Sequence, residues 1–281
     1  MDSFQLGKGG LRRLKILLRS LIGFFGLHVT SVRHGLSLGA TSGKVCVNLG
    51  AGNFSLFGWA SVDHVNDDYA DIQSKEFIEC NFSSYDLFPF EDDSVDLFYC
   101  SHVIEHISPA YIDHFFAEVY RCLKPSCLIR IICPDATILW ERARSGERDF
   151  FVGLDPWSSI KSSRVSSIER MLLEHVATLV VTSEDYVEIT DDQLKRDFQE
   201  LGMGSFLDKY VDLLPADSNS KSPSGHVNWF SAAKLMGLLA QKDYTRIYES
   251  RYLQSGSSAM RDPRYFDGTC PEISFYVEAL K

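Results

Sequence analysis

The chain has 281 residues, 45% hydrophobic and 23% charged, enough to bury a substantial core as one large domain or one domain with an insertion. Its 28 basic against 38 acidic residues leave a net charge of −10, which argues against a broad phosphate-binding surface and so against a nucleic-acid partner. The seven cysteines are odd in number and scattered, with no C-x-x-C pair, so reduced thiols in the cytoplasm are expected and a disulfide framework or zinc knuckle is not.

Residues 11–27, LRRLKILLRSLIGFFGL, place Leu11, Leu14, Leu18, Leu21 and Phe25 at helical spacing, with Arg12, Lys15 and Arg19 on another face. The first 27 residues carry +4, leaving −14 for the rest. Arg19 interrupts the apolar run, which falls short of the ~20 residues a bilayer needs, and no signal-peptide cleavage site follows. This basic amphipathic helix either touches an anionic membrane surface, peripherally at its inner face, or covers a face of a sheet. The second reading is favoured, for a reason given by the next segment.

Lys44–Asn53, KVCVNLGAGN, is an apolar strand running into a Gly-Ala-Gly turn. Val45 and Val47 favour extended backbone. Gly50 and Gly52 allow a sharp turn and a close approach by a ligand, at the strand end where nucleotide-like ligands bind open α/β sheets. A short strand follows at Ala60–Val65. A parallel crossover takes about a dozen residues or more, usually with a helix, and the seven residues Asn53–Trp59 cannot supply one. The helix missing from that sheet face is the reason for docking residues 11–27 there. Asp63 ends the second strand, placed to accept hydrogen bonds from ribose hydroxyls; as an alternative it is one of several surface turn aspartates. Phe77–Phe82 reads as a third strand, with Asn81 and Phe82 at its end able to read and sandwich an adenine, or equally to be a turn amide beside a core ring.

Val95–Cys100 is a fourth apolar strand, left by Ser101–His106. Pro109 suits the first turn of a helix to about Leu123, Lys124–Cys127 is a turn, and Leu128–Cys133 is a fifth strand closed by Pro134–Asp135. Helices are expected over Ala136–Gly146, Ile168–Val181 and Asp192–Leu214, the last broken at Gly202–Gly204, and Pro215–Gly225 reads as a linker. His226–Phe230 reopens the core, Ser231 caps a helix over Ala232–Gln241, and Thr245–Leu253 and Glu272–Leu280 supply two closing strands around a turn-rich Ser255–Pro271.

From Val45 to Asp135 this order of parts resembles the S-adenosylmethionine-binding half of the class I (Rossmann-like) methyltransferases of the type 11 kind. More narrowly, it is similar to a bacterial branch associated with polysaccharide biosynthesis. The motifs are NLGAGN, GWASVD, LFPFEDDSVD, SHVIEH and RCLKPSC followed by CPD, and the match resumes at 226–281. The resemblance implies an α/β fold: a Rossmann-like, seven-stranded, mostly parallel sheet with an antiparallel last strand and a helical insertion after the fifth. It implies an N-terminal helix and linker over 1–43, a cofactor-binding core over 44–135, a helical lid or substrate insertion over 136–225 and a closing part of the core over 226–281.

S-adenosyl-L-methionine is the implied cofactor. The implied contacts are Asn48, Gly50, Ala51, Gly52 and Asn53 around the turn, Asp63 on the ribose, Asn81 and Phe82 at the adenine, and Ser101, His102 and Glu105 closing over the sulfonium end. The usual Pro-Gly-Gly turn is Pro125-Ser126-Cys127 here, which must hold φ < 0 or carry strain.

The implied activity is methyl transfer, to a sugar or glycan hydroxyl in surface polysaccharide biosynthesis, with a small-molecule acceptor or an inactive binding module as alternatives. A hydroxyl acceptor calls for a base, and His226, at the junction of lid and core, is the first candidate, then Asp135 and His102. His102–His106 also spells H-x-x-E-H, a zinc-peptidase pattern, but it follows a buried strand and no third ligand is picked out, so no metal is expected. A nicotinamide site is disfavoured because Ser55 stands where a third glycine belongs and Asp63 comes too early.

Overall fold

The computed structural model describes residues 43–65, 76–154, 166–182, 189–218 and 225–281. All of them lie in a compact unit spanning Ser37–Lys281. The basic helix expected at 11–27 lies outside the described residues. Among these residues, no helix is long and apolar enough to cross a membrane.

The strands are β1 (Cys46–Leu49), β2 (Trp59–Asp63), β3 (Ile78–Glu79), β4 (Val95–Ser101), β5 (Leu123–Pro134), β6 (Thr245–Ser250) and β7 (Ser274–Leu280). They form a seven-stranded sheet in the order β3-β2-β1-β4-β5-β7-β6. Pairing is parallel from β3 to β5, and β7 runs antiparallel to both β5 and β6. The Rossmann-like α/β fold expected from the sequence is the one observed. The order reverses between β1 and β4, so the carboxyl ends of β1, β2 and β4 open onto one crevice.

One face of the sheet carries Val47, Leu49, Phe98, Cys100, Ile129 and Ile131 and is covered by α1 (Pro109–Cys122) and by Leu235 and Leu239 of α8 (Ala232–Ala240). Ser108 caps α1 by accepting from Ala110 N, with Pro109 in the first turn where its missing N–H costs nothing. Ser231 caps α8 in the same way through Lys234 N, as its position predicts.

The other face carries Cys46, Leu97, Tyr99, Leu128, Ile132 and Tyr276. No helix links β1 to β2, in keeping with the short crossover. Among the described residues the cover here comes from the β6–β7 connection, whose Ala259, Met260, Tyr265 and Phe266 pack with Phe54 and Trp59 of the β1–β2 loop. The turn-rich Ser255–Pro271 is therefore core cover as well as a connection. Arg130, fully buried, pins it: its guanidinium donates to both Asp267 oxygens at 2.9 and 2.6 Å and to Glu278 Oε1 at 3.0 Å.

After β5 come α2 (Ala136–Arg144), α3 (Arg148–Gly153), α4 (Ile168–Glu174), α5 (Thr178–Thr182), α6 (Asp191–Glu200) and α7 (Met203–Val211). They bury a second core around Trp140, Leu172, Leu173, Phe206 and Tyr210, joined to the sheet through Trp229 and Ile273. The helix expected over 168–181 is two short ones, α4 and α5, and the break expected at 202–204 falls just before Met203.

Three further elements differ from expectation. The strand over Phe77–Phe82 is only Ile78–Glu79, because Asn81 Oδ1 accepts from Ser83 N and turns the chain at once. The turn at Lys124–Cys127 is a bulge inside β5, where the register jumps from Val95↔Leu123 to Leu97↔Leu128. Ser126 there has φ 63°, so the side chain that replaces glycine carries the strain. The closing strand from Thr245 stops at Ser250, short of Leu253, which turns with φ 55°.

Candidate active site

β1 ends with Asn48 and Leu49, and the glycine turn follows. Buried Asn48 donates from Nδ2 to Gly50 O at 3.4 Å, while Gly50 N donates to Val62 O. Gly50 has φ 75°, and a Cβ on it would stand 2.2 Å from Val103 Cγ2. Its need for glycine is thus a packing need: the loop after β4 rests on it. Gly52, φ 48°, has open space where its Cβ would be, so this is where a ligand can come close to the backbone. Asp63 faces it across the parallel pair, with Oδ2 accepting from Gly52 N at 3.1 Å and Oδ1 from His64 N at 2.8 Å. Asp63 is part-exposed, at the same sheet edge as the turn. An open cradle flanked by an acid suits the ribose and methionine parts of S-adenosylmethionine.

The register Leu49↔Val62 and Leu49↔Cys100 puts the turn, Asp63 and Ser101 at one edge of the sheet. Ala51 is buried beneath the turn and Asn53 is exposed beside it. Asn81 is part-exposed; Phe82 is a core residue, its ring 5.5 Å from Phe88 and 5.4 Å from Phe115. Ser101 Oγ is buried with no hydrogen-bond partner, an orphaned polar atom at the mouth of the crevice.

His102 leaves β4 with φ 55°, a left-handed conformation that is sparse outside glycine and often marks a functional loop. Its Nε2 lies 2.9 Å from Ser274 Oγ, whose own proton goes to Cys270 O at 2.7 Å, so His102 Nε2 is the donor. The other nitrogen, Nδ1, then faces Glu105 Oε1 at 3.3 Å. Ile104–His106 forms a single 3-10 turn, not the α-helix that would set H-x-x-E-H histidines on one face. Glu105 is 2% exposed, and its Oε2 has only Cys133 Sγ at 3.5 Å. Burial alone would raise the Glu105 carboxyl, but His102 beside it and the rings of His106 and His226 pull it down to about 2.

His226 arrives from the far end of the insertion. Val227 N and Asn228 N both donate to Glu105 O, at 2.9 and 3.1 Å, and Asn228 Nδ2 donates to Ile107 O. The His226 ring lies 4.8 Å from the His106 ring, with Nδ1 2.7 Å from His175 O. Burial, helped by repulsion from His106, lowers His226 to about 3. An imidazole so weakly basic stays neutral and has little drive to take a proton from a hydroxyl. Asp135 caps α2 through Thr137 N at 2.9 Å and sits beside Phe230 at the end of β5. The structure thus brings His102 and His226 to the same loop, around Glu105. His106 was not among the expected site residues; its signal was its place in the same motif.

Residues 36–131 match the family of the methyltransferase domain. This match spans about a third of the chain, and the cofactor that the domain implies is S-adenosylmethionine. No curated protein sequence matches the chain. Among solved structures, the chain is similar to the DszA carbon methyltransferase (11% identity, 99% of this chain and 55% of that one, TM-score 0.38). It is also similar to a SAM-dependent methyltransferase from Archaeoglobus fulgidus (12%, 95% and 94%, TM-score 0.41) and one from Mesorhizobium loti (11%, 88% and 99%, TM-score 0.39). The chain therefore spans little more than half the length of the first of these. Likeness at this level of identity and superposition says nothing of activity.

Proposed function

We propose that the chain is an S-adenosylmethionine-dependent methyltransferase whose acceptor is a hydroxyl of a sugar or glycan. The observation that carries the cofactor half is the Gly52 cradle, open above its backbone and tied to Asp63 at the crevice edge. The motif resemblance from Val45 to Asp135 supports the acceptor class, and a small metabolite is the rival acceptor.

The bound cofactor would supply an electrophilic methyl group, so the protein's own task is to hold, orient and dry the reacting pair. Asp63 and the turn hold one end of the crevice. Ser101 stands at the end of β4 beside them. Glu105 fixes the returning chain at Val227 and Asn228 by its backbone carbonyl, and the insertion that ends there is read as the substrate lid.

Calorimetric titration with S-adenosylmethionine, followed by transfer of a tritiated methyl group to nucleotide-sugars, lipid-linked glycans and small metabolites, tests this. The expected result is binding near one equivalent and label in a carbohydrate fraction. Binding without transfer to any acceptor favours a binding module, and no binding removes the cofactor reading.

A further inference from the structure

Glu105, His106 and His226 each offer a donor atom within 4.8 Å of the other two. Both imidazoles are anchored in the same way, His106 Nδ1 lying 3.1 Å from Gly225 O and His226 Nδ1 2.7 Å from His175 O. A histidine that donates from Nδ1 to a carbonyl carries its lone pair on Nε2, the arrangement in which imidazoles serve metal ions with their orientation fixed by the outer shell. The third donor is a carboxylate buried to 2% exposure, with only the long contacts to Cys133 Sγ at 3.5 Å and His102 Nδ1 at 3.3 Å. The other ring nitrogen of His102 is committed to Ser274 as a donor.

We propose that Glu105, His106 and His226 bind one divalent transition-metal cation of the zinc class, with a remaining position open to water or to an acceptor oxygen. Two imidazoles and a carboxylate suit zinc and its neighbours; magnesium and calcium prefer oxygen alone. Metal–ligand bonds of about 2.1 Å place tetrahedral donors about 3.4 Å apart. The group, within 4.8 Å before binding, therefore closes by up to roughly 1.4 Å, which half-buried rings can accommodate. Glu105 and His106 come from the 3-10 turn that follows β4, and His226 is held against them by Val227 N and Asn228 N.

A consequence follows if the acceptor is a hydroxyl, a step that rests on the methyl-transfer reading above. An oxygen bound to the cation gives its O–H proton to water more readily. Its electron pair is then free to form the new C–O bond as the C–S bond to the methyl breaks and its electrons stay on sulfur. The chemistry would then need no histidine base.

The test is calorimetric titration of ZnCl2 into the chelator-stripped full chain, with CoCl2 spectra in parallel. The expected result is one equivalent bound, about tenfold or more weaker in His226→Ala and in His106→Ala, and unchanged in His114→Ala. Cobalt should give visible bands without thiolate charge transfer. The proposal is overturned by the absence of saturable uptake, by affinities in both cluster variants within about twofold of wild type, or by a thiolate band that assigns the ion to cysteine. If the variants lose their circular dichroism, the wild-type cobalt spectrum decides alone. Metal uptake without methyl transfer leaves the site standing and removes the methyl-transfer reading; transfer by stripped protein that takes up no metal removes the site and its catalytic role and leaves the methyl-transfer reading standing.

Discussion

Among the described residues, two of the buried carboxylate clusters, around Arg130 and around Glu105, are finished differently. Around Arg130 every valence is used. Asp267 takes two guanidinium bonds and Leu253 N, and Glu278 takes a third guanidinium bond, the Tyr248 hydroxyl and Gly256 N. Arg130 gives its remaining protons to Ser250 Oγ and Arg251 O. Around Glu105 the carboxylate has a thiol at 3.5 Å on one oxygen and His102 Nδ1 at 3.3 Å on the other, while two imidazoles nearby keep a free nitrogen. A saturated network has no capacity left for a ligand, and its role is to fix a fold. An unsaturated one costs stability in the free protein and persists where something else completes it.

The sharpest way to break this contrast is to unsaturate the first cluster. Asp267→Ala leaves Arg130 uncompensated in the interior and should cost about 3–5 kcal/mol in chemical denaturation. A loss below about 1 kcal/mol would remove the distinction between the clusters. Gly50→Ala should cost about 2–4 kcal/mol, combining an added Cβ 2.2 Å from Val103 with a left-handed backbone. It also pushes the loop that carries Glu105, so zinc uptake should weaken with it.

Glu105→Gln should be the milder change in stability, below about 2 kcal/mol, because it keeps the size of the side chain and gives up only the long contacts to His102 Nδ1 at 3.3 Å and Cys133 Sγ at 3.5 Å. The same variant should lose zinc binding in calorimetry.

A part-exposed pair gives the reference scale. Burial would raise Asp96, but Lys124 Nζ at 2.7 Å and Val45 N at 2.9 Å hold its carboxyl below the ordinary 3.8. An acid depressed in the folded state stabilises above its unfolded pKa and loses that contribution as pH falls through the folded one. The acid limb of stability below about pH 4 should therefore flatten in Asp96→Asn, by less than about 1 kcal/mol given its exposure. Ser126→Gly, which relieves φ 63°, should raise stability by about 0.5–1 kcal/mol in thermal melts.

The local half of this molecule was readable from sequence. Alternating apolar runs, the glycine turn, Pro109 and Ser231 gave β1, β2, β4, β5, α1 and α8 with small shifts at their ends, since each depends on neighbours a few residues away. Phe77–Phe82 was read too long because Asn81 hydrogen-bonds its own backbone. The long-range half was not readable. Phe266 and Met260 lie in a stretch with no period, so nothing marked it as the cover of a sheet face. Arg130 inside the apolar run LIRIIC was a local contradiction that could have pointed to a buried partner, but Asp267 is 137 residues away. The same holds for the metal-ligand group. H-x-x-E-H showed two of its three donors, and the third belonged to the HVNWF segment beyond the insertion.

That third donor gives the His106–Gly225 contact a further meaning. It joins residues 119 apart, so it closes one of the long loops of the chain. Closing such a loop costs configurational entropy that grows only slowly with length. An ion held by His106 and His226 would act as a reversible staple across the whole insertion, made only after both parts have folded. Metal occupancy would then report the last event in assembly, and stripping the ion would loosen the insertion while the β-sheet stays intact.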